Sequence, residues 1–125
     1  FAVLGLGVTS IVVMGHGRCG GVAAALDPES RLTDSDFIGA WVADLKTLDE
    51  RTPASSASGP EERQRLIEHL SVQQSLEHLR TFPWIAERVA SGSLTLHGAW
   101  FDISLGELHA LSGTSWLPQP YEQVG

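Results

Sequence analysis

The sequence predicts an α/β fold, with a mostly parallel central sheet, flanking helices and a C-terminal β-hairpin, in a single domain of 125 residues. Three observations lead there. Ile11-Val12-Val13-Met14 is a β-branched run without polar alternation, the pattern of a strand covered on both faces. A glycine loop and a short helical run, Val22 to Leu26, follow it directly, which is the order of an α/β unit. Far along the chain, Leu94 to Ile103 alternates in polarity and is followed by a turn and an apolar return.

The elements follow in order. Phe1 to Leu6 reads as the last turns of a helix stopped by Gly5 or Gly7. Thr9 to Gly15 is the first strand, and Val22 to Leu26 is a short helix ended by Asp27-Pro28. A second helix starts at Thr33, with Asp34 and Asp36 near its positive end. Ile38, Trp41, Val42 and Leu45 then form one buried stripe along it. Arg51 to Pro60 is a loop of small residues and the expected flexible segment. Pro60, Glu61 and Glu62 open a long helix running to Arg80, with Leu66, Leu70, Val72, Leu76 and Leu79 inward. Pro83 breaks it, and Trp84 to Ala90 is one more short helix. In the strand beyond, Leu94, Leu96 and Trp100 share one face, and His97, Phe101 and Ile103 the other. Leu108 to Leu111 returns as its hairpin partner, and the tail beyond Gly113 lies on the surface.

Composition excludes several roles. Eight Lys+Arg against 15 Asp+Glu give a net charge of −7, which leaves no basic face for a phosphate backbone, so no nucleic-acid partner is expected. The apolar start is broken by Gly5, Gly7, Thr9 and Ser10, well short of the ~20 apolar residues of a membrane span. No membrane partner is expected. One cysteine forbids an intrachain disulfide and suits a reducing compartment, so the expected location is cytoplasmic. The first residue is Phe1, with no initiator Met, and the expectation is that an earlier part of the first element is absent.

The loop Gly15-His16-Gly17-Arg18-Cys19-Gly20-Gly21 supports three readings. Gly15-x-Gly17-x-x-Gly20 matches a dinucleotide fingerprint, but that fold needs a second strand ~20 residues on, and a helix is predicted there. His16 and Cys19, one at a strand end and one in the next helix's first turn, have a spacing that can place imidazole and thiolate on one ion, the donors zinc prefers. A buried small cysteine beside a hydrogen-bonded histidine is the purely structural alternative. Of the other histidines, His69 and His78 do not share a helix face, His97 lies on a buried-looking strand, and His109 sits on an exposed arm. The aromatics Trp41, Trp84, Trp100 and Phe101 fill core or subunit contacts.

Val12-Val13-Met14-Gly15-His16-Gly17-Arg18-Cys19-Gly20-Gly21-Val22 resembles the zinc loop of the β-class carbonic anhydrases. Ser75 to Trp84 is similar to that family's helix ending in Leu-Arg-x-x-Pro, and Leu96 to Ile103 with Gly106-Glu107-Leu108 is similar to its last core strand and return. The resemblance implies zinc-dependent, reversible hydration of carbon dioxide to bicarbonate by a homodimer or higher homo-oligomer. It implies His16 and Cys19 as zinc ligands and Gly20 as a substrate-pocket backbone. The family's first ligand and its Asp–Arg pair come from a Cys-x-Asp-x-Arg segment, which has no match here because Cys19 is the one cysteine. The chain is therefore expected to be the C-terminal part of the enzyme, with no catalytic residue of that pair, and inactive alone. A non-catalytic scaffold or a redox-sensing thiol at Cys19 is the alternative, with a nucleotide binder behind it.

Overall fold

The computed structural model describes residues 1–29 and 37–120. Its elements are β1 (Ser10–His16), α1 (Gly20–Leu26), α2 (Phe37–Arg51), a 3-10 turn (Ala54–Ser56), α3 (Pro60–Arg80), α4 (Pro83–Ala90), β2 (Thr95–Asp102), β3 (Glu107–Ser112) and β4 (Ser115–Pro118). The four strands make one sheet in the order β1-β2-β3-β4. The sheet is mixed: β1 and β2 run parallel, while β2–β3 and β3–β4 are antiparallel. The predicted helix start at Thr33, Asp34 and Asp36 lies outside the described residues.

One register matters most. Ser10 pairs with Thr95 and His16 with Phe101, so β1 delivers His16 to the end of the sheet. Helix α3 packs across β1 and β2, and α1 and α2 lie against α3. Two apolar clusters result. Val22, Ala25, Val42, Leu45 and Ile67 join the three helices. Val3, Ile85 and Leu94 join the N-terminal turn, α4 and the start of β2.

Several expectations are corrected. Phe1 to Leu6 is a single turn, its Gly5 and Leu6 amides both donating to the Phe1 carbonyl at 2.7 and 3.1 Å. It is held by buried Val3 and by Arg88 donating to the Val3 carbonyl. β1 is covered on one face only: Val12 and Met14 point away from α3 and are 59% and 66% exposed. Trp41 departs from the predicted stripe of α2 at 60% exposure, while Val42 and Leu45 are buried. The loop of small residues is pinned by Arg63, whose guanidinium donates to Asp49 Oδ1 and to the carbonyls of Asp49, Thr52 and Pro53, all within 2.8 Å. The tail beyond Gly113 adds a strand, because Gly113 takes φ 63 and lets Ser115 turn back onto Ser112.

Burial on α3 includes two groups the apolar pattern did not select, Ile67 and Glu68. Next to them His69 stacks on Trp116 with ring centroids 4.5 Å apart and meets Trp100 edge-on at 4.6 Å. Burial, then the charge of Arg65 and the nearby His109, push the His69 pKa from 6.5 down to about 4. The unfolded chain therefore takes up this proton near 6.5 while the folded chain stays neutral until about 4, so stability falls as pH falls through that window. His69→Phe keeps a ring between the two tryptophans and removes the proton. Urea midpoints at about pH 7 and about pH 5 should fall further for the unsubstituted protein than for His69→Phe, and equal falls would contradict this.

Candidate metal centre

The strand end, a two-residue turn and the first turn of α1 build the site. Gly17 donates its amide to the Phe101 carbonyl at 2.8 Å, which continues the β1–β2 ladder one residue past His16. A Cβ on Gly17 would stand 3.1 Å from the Trp100 ring, so a side chain there would press on the core. Arg18 then adopts φ 53, a left-handed conformation that costs an L-residue ~1–2 kcal/mol. This turn carries the chain round so that Cys19 begins α1, with its carbonyl accepting from Ala23 at 2.9 Å.

His16 and Cys19 line one cavity of about 300 Å³, together with Val13, Trp41, Glu68 and Val72. His16 Nδ1 lies 2.9 Å from the Gly17 carbonyl oxygen. A carbonyl only accepts, so Nδ1 carries the proton and Nε2 keeps its lone pair, the arrangement by which a protein presents a histidine to a metal. Cys19 is a free, half-buried thiol. One nitrogen and one sulfur donor facing one space match the chemistry of zinc. Among the described residues no group of three or more His, Cys, Asp or Glu comes together, and His16 and Cys19 are the pair that shares this cavity with zinc-type donors.

Gly20 is not in the cavity lining; a Cβ there would meet nothing within 4 Å, so open space lies beside its backbone. Gly21 is different, because a Cβ would stand 2.6 Å from Trp41, whose ring closes over the helix and lines the cavity.

The group that pattern reading missed is Glu68. It is 4% exposed and accepts from the Cys19 amide at 2.9 Å and from Trp100 Nε1 at 3.3 Å. Its signal was spacing: Glu68, Val72, Leu76 and Leu79 fall at intervals of four, four and three on the inward stripe of α3, an acid where an apolar residue belongs. The other histidines stand apart from the cavity. His78 is exposed. His97 is exposed rather than buried, with Nε2 3.0 Å from Thr95 Oγ1. His109 is half-buried rather than exposed, its Nε2 2.7 Å from Glu107 Oε1.

Sequence comparison decides the family. The carbonic anhydrase family profile matches residues 1–108. This chain belongs to the carbonic anhydrase family. Its relatives place it in the β class: β-carbonic anhydrase 5, chloroplastic, of Arabidopsis thaliana is 39% identical over 103 residues, covering 82% of this chain and 34% of that protein. β-Carbonic anhydrase 6, mitochondrial, of the same plant is 37% identical over 106 residues, 83% of this chain and 37% of that protein. A carbonic anhydrase of Pseudomonas aeruginosa is 34% identical over 116 residues, 92% and 52%. Solved structures agree. A tetrameric β-carbonic anhydrase of Sordaria macrospora superposes with a TM-score of 0.78 at 32% identity, covering 89% of this chain and 56% of that one. CafA of Aspergillus fumigatus gives 0.80 at 29% identity, covering 96% and 54%. The chain thus spans about a third to a half of the curated relatives' lengths.

Proposed function

We propose that this chain supplies two protein ligands, His16 and Cys19, to the zinc of a β-class carbonic anhydrase that reversibly hydrates carbon dioxide to bicarbonate and a proton. The observation that carries the reading is the shared cavity, into which a histidine with a free Nε2 and an unpaired thiol both open. Zinc, when bound, would supply hydroxide near neutral pH by lowering the pKa of its water to ~7, the figure for carbonic anhydrase with three histidines.

The chain's own residues have three tasks. His16 and Cys19 hold the ion, and the Gly17 carbonyl fixes the His16 tautomer. Val13, Val72 and Trp41 give the cavity apolar walls suited to an uncharged gas. Gly20, next to Cys19 in sequence, would offer its backbone to the substrate, the role the resemblance implies for it. A third donor and the Asp–Arg pair of the resembled motif have no counterpart among these 125 residues, so the reading assigns them to protein outside them. Two ligands alone hold zinc weakly, and the isolated chain should not hydrate carbon dioxide.

Assembly into homo-oligomers belongs to the same reading. The sheet face opposite α3 exposes Val12, Met14, Leu108 and Leu117, an apolar surface that a subunit would cover. The test is zinc analysis with carbon dioxide hydration on the full-length protein and its His16→Ala variant. Unchanged zinc in that variant would remove the assignment, and zinc-dependent hydration by the 125-residue chain alone would refute its predicted inactivity.

A further inference from the structure

A buried carboxylate needs donors, and Glu68 has three. Oε2 accepts from the Cys19 amide at 2.9 Å and from Gln64 Nε2 at 3.1 Å, and Oε1 accepts from Trp100 Nε1 at 3.3 Å. Gln64 Nε2 also reaches the Cys19 carbonyl at 3.2 Å. Both main-chain polar atoms of Cys19 are thereby tied to α3, across 49 residues of sequence for the amide. Removing a charge to this depth is costly unless it is fully paired, so the carboxylate and its donors hold one another in a single arrangement.

From this geometry, and resting on the zinc reading above, we infer that Glu68 is a positioning residue. It sets where the Cys19 thiol stands relative to His16 by gripping the Cys19 backbone, without touching the metal. The thiol's place is determined by the Cys19 backbone and one side-chain torsion, so a shift of the amide moves the sulfur. Metal sites tolerate only ~0.5 Å of such movement. The left-handed Arg18 just before it is a conformation that persists only where its surroundings fix it. Here the Gly17 amide is anchored on Phe101 and the Cys19 amide on Glu68, one on each side of Arg18.

Glu68 also lines a second cavity of about 310 Å³ with Arg18, Arg65 and Asp102, a placement a proton carrier would share. Three donors, a backbone amide, a carboxamide and an indole, hold both of its oxygens in place, which is the geometry of a fixed acceptor.

Cobalt(II) is the probe, read through the thiolate-to-metal charge-transfer absorption of the 125-residue chain, with thermal melting recorded on every variant. Glu68→Gln turns an NH2 group toward one of three donors, and the cobalt Kd should rise about 10- to 100-fold, the usual cost of losing an outer-shell partner. Gln64→Leu, at a half-buried position, should raise it less but in the same direction; if Glu68→Gln fails to fold, this variant decides. Both variants binding cobalt like the unsubstituted chain, while His16→Ala weakens binding, would overturn the positioning role and leave the zinc reading standing. His16→Ala binding unchanged would sink the zinc reading itself. In the full-length enzyme, Glu68→Gln with unchanged cobalt affinity but lost hydration, restored by added imidazole, would overturn the inference in favour of proton transfer.

Discussion

Alanine at Trp100 is expected to destabilise the protein by about 3–5 kcal/mol, the range for deleting a buried large aromatic. Trp100 is 2% exposed and sits where every layer meets. Its ring underlies Gly17, meets His69 and His109 edge-on and carries Arg65 over its face at 5.3 Å. Its Nε1 is also one of three donors to Glu68, so alanine leaves both a void and an under-paired buried carboxylate. Trp100→Phe refills much of the space and removes only the donor, and should lose clearly less. Urea unfolding of the two variants measures both terms. A Trp100→Ala protein within about 1 kcal/mol of the original would contradict this account of the core.

His16→Ala and Cys19→Ser should each weaken metal binding severely while leaving the fold intact. His16 is exposed at the end of β1 with one local contact to Gly17, a setting where substitutions usually change stability by no more than ~0.5 kcal/mol. Cys19→Ser keeps the backbone bonds to Glu68 and Gln64 and exchanges a soft donor for a poor one. Because each removes one of two donors, the loss of affinity should exceed the ~10–100-fold cost of disturbing an outer-shell partner. Equilibrium dialysis against zinc, with circular dichroism to confirm folding, checks it. A folded Cys19→Ser protein with unchanged zinc affinity would contradict the ligand assignment.

Much of this was legible in the chain. That His16 and Cys19 line one cavity was legible because strand, glycine loop and helix announce themselves in order. The long helix was legible from Pro60 to Arg80 because proline and two glutamates mark its start and Pro83 its end. What stayed hidden was tertiary. A β-branched run does not say how many faces are covered, and Val12 and Met14 are open because α3 lies on the other side. Small residues between helices suggested flexibility, but Arg63 from the next helix satisfies the loop's carbonyls, a bond that local pattern does not encode. β4 was missed because Pro118 at its end, Pro120 just beyond it and its short length outweighed the turn at Gly113. Glu68 was passed over because charged residues are ordinarily read as solvated, although its spacing put it on the buried stripe.

X-ray absorption at the zinc edge, recorded on the zinc-loaded 125-residue chain, reads the ligand atoms themselves. The account predicts a sulfur scatterer at about 2.3 Å and imidazole nitrogen at about 2.0–2.1 Å. Because Cys19 is the one cysteine of this chain, the zinc still bound by Cys19→Ser at excess metal should show no sulfur, and that bound by His16→Ala should lose its imidazole contribution. A zinc surrounded by oxygen alone, or a spectrum that neither substitution changes, would show that these two side chains do not share an ion.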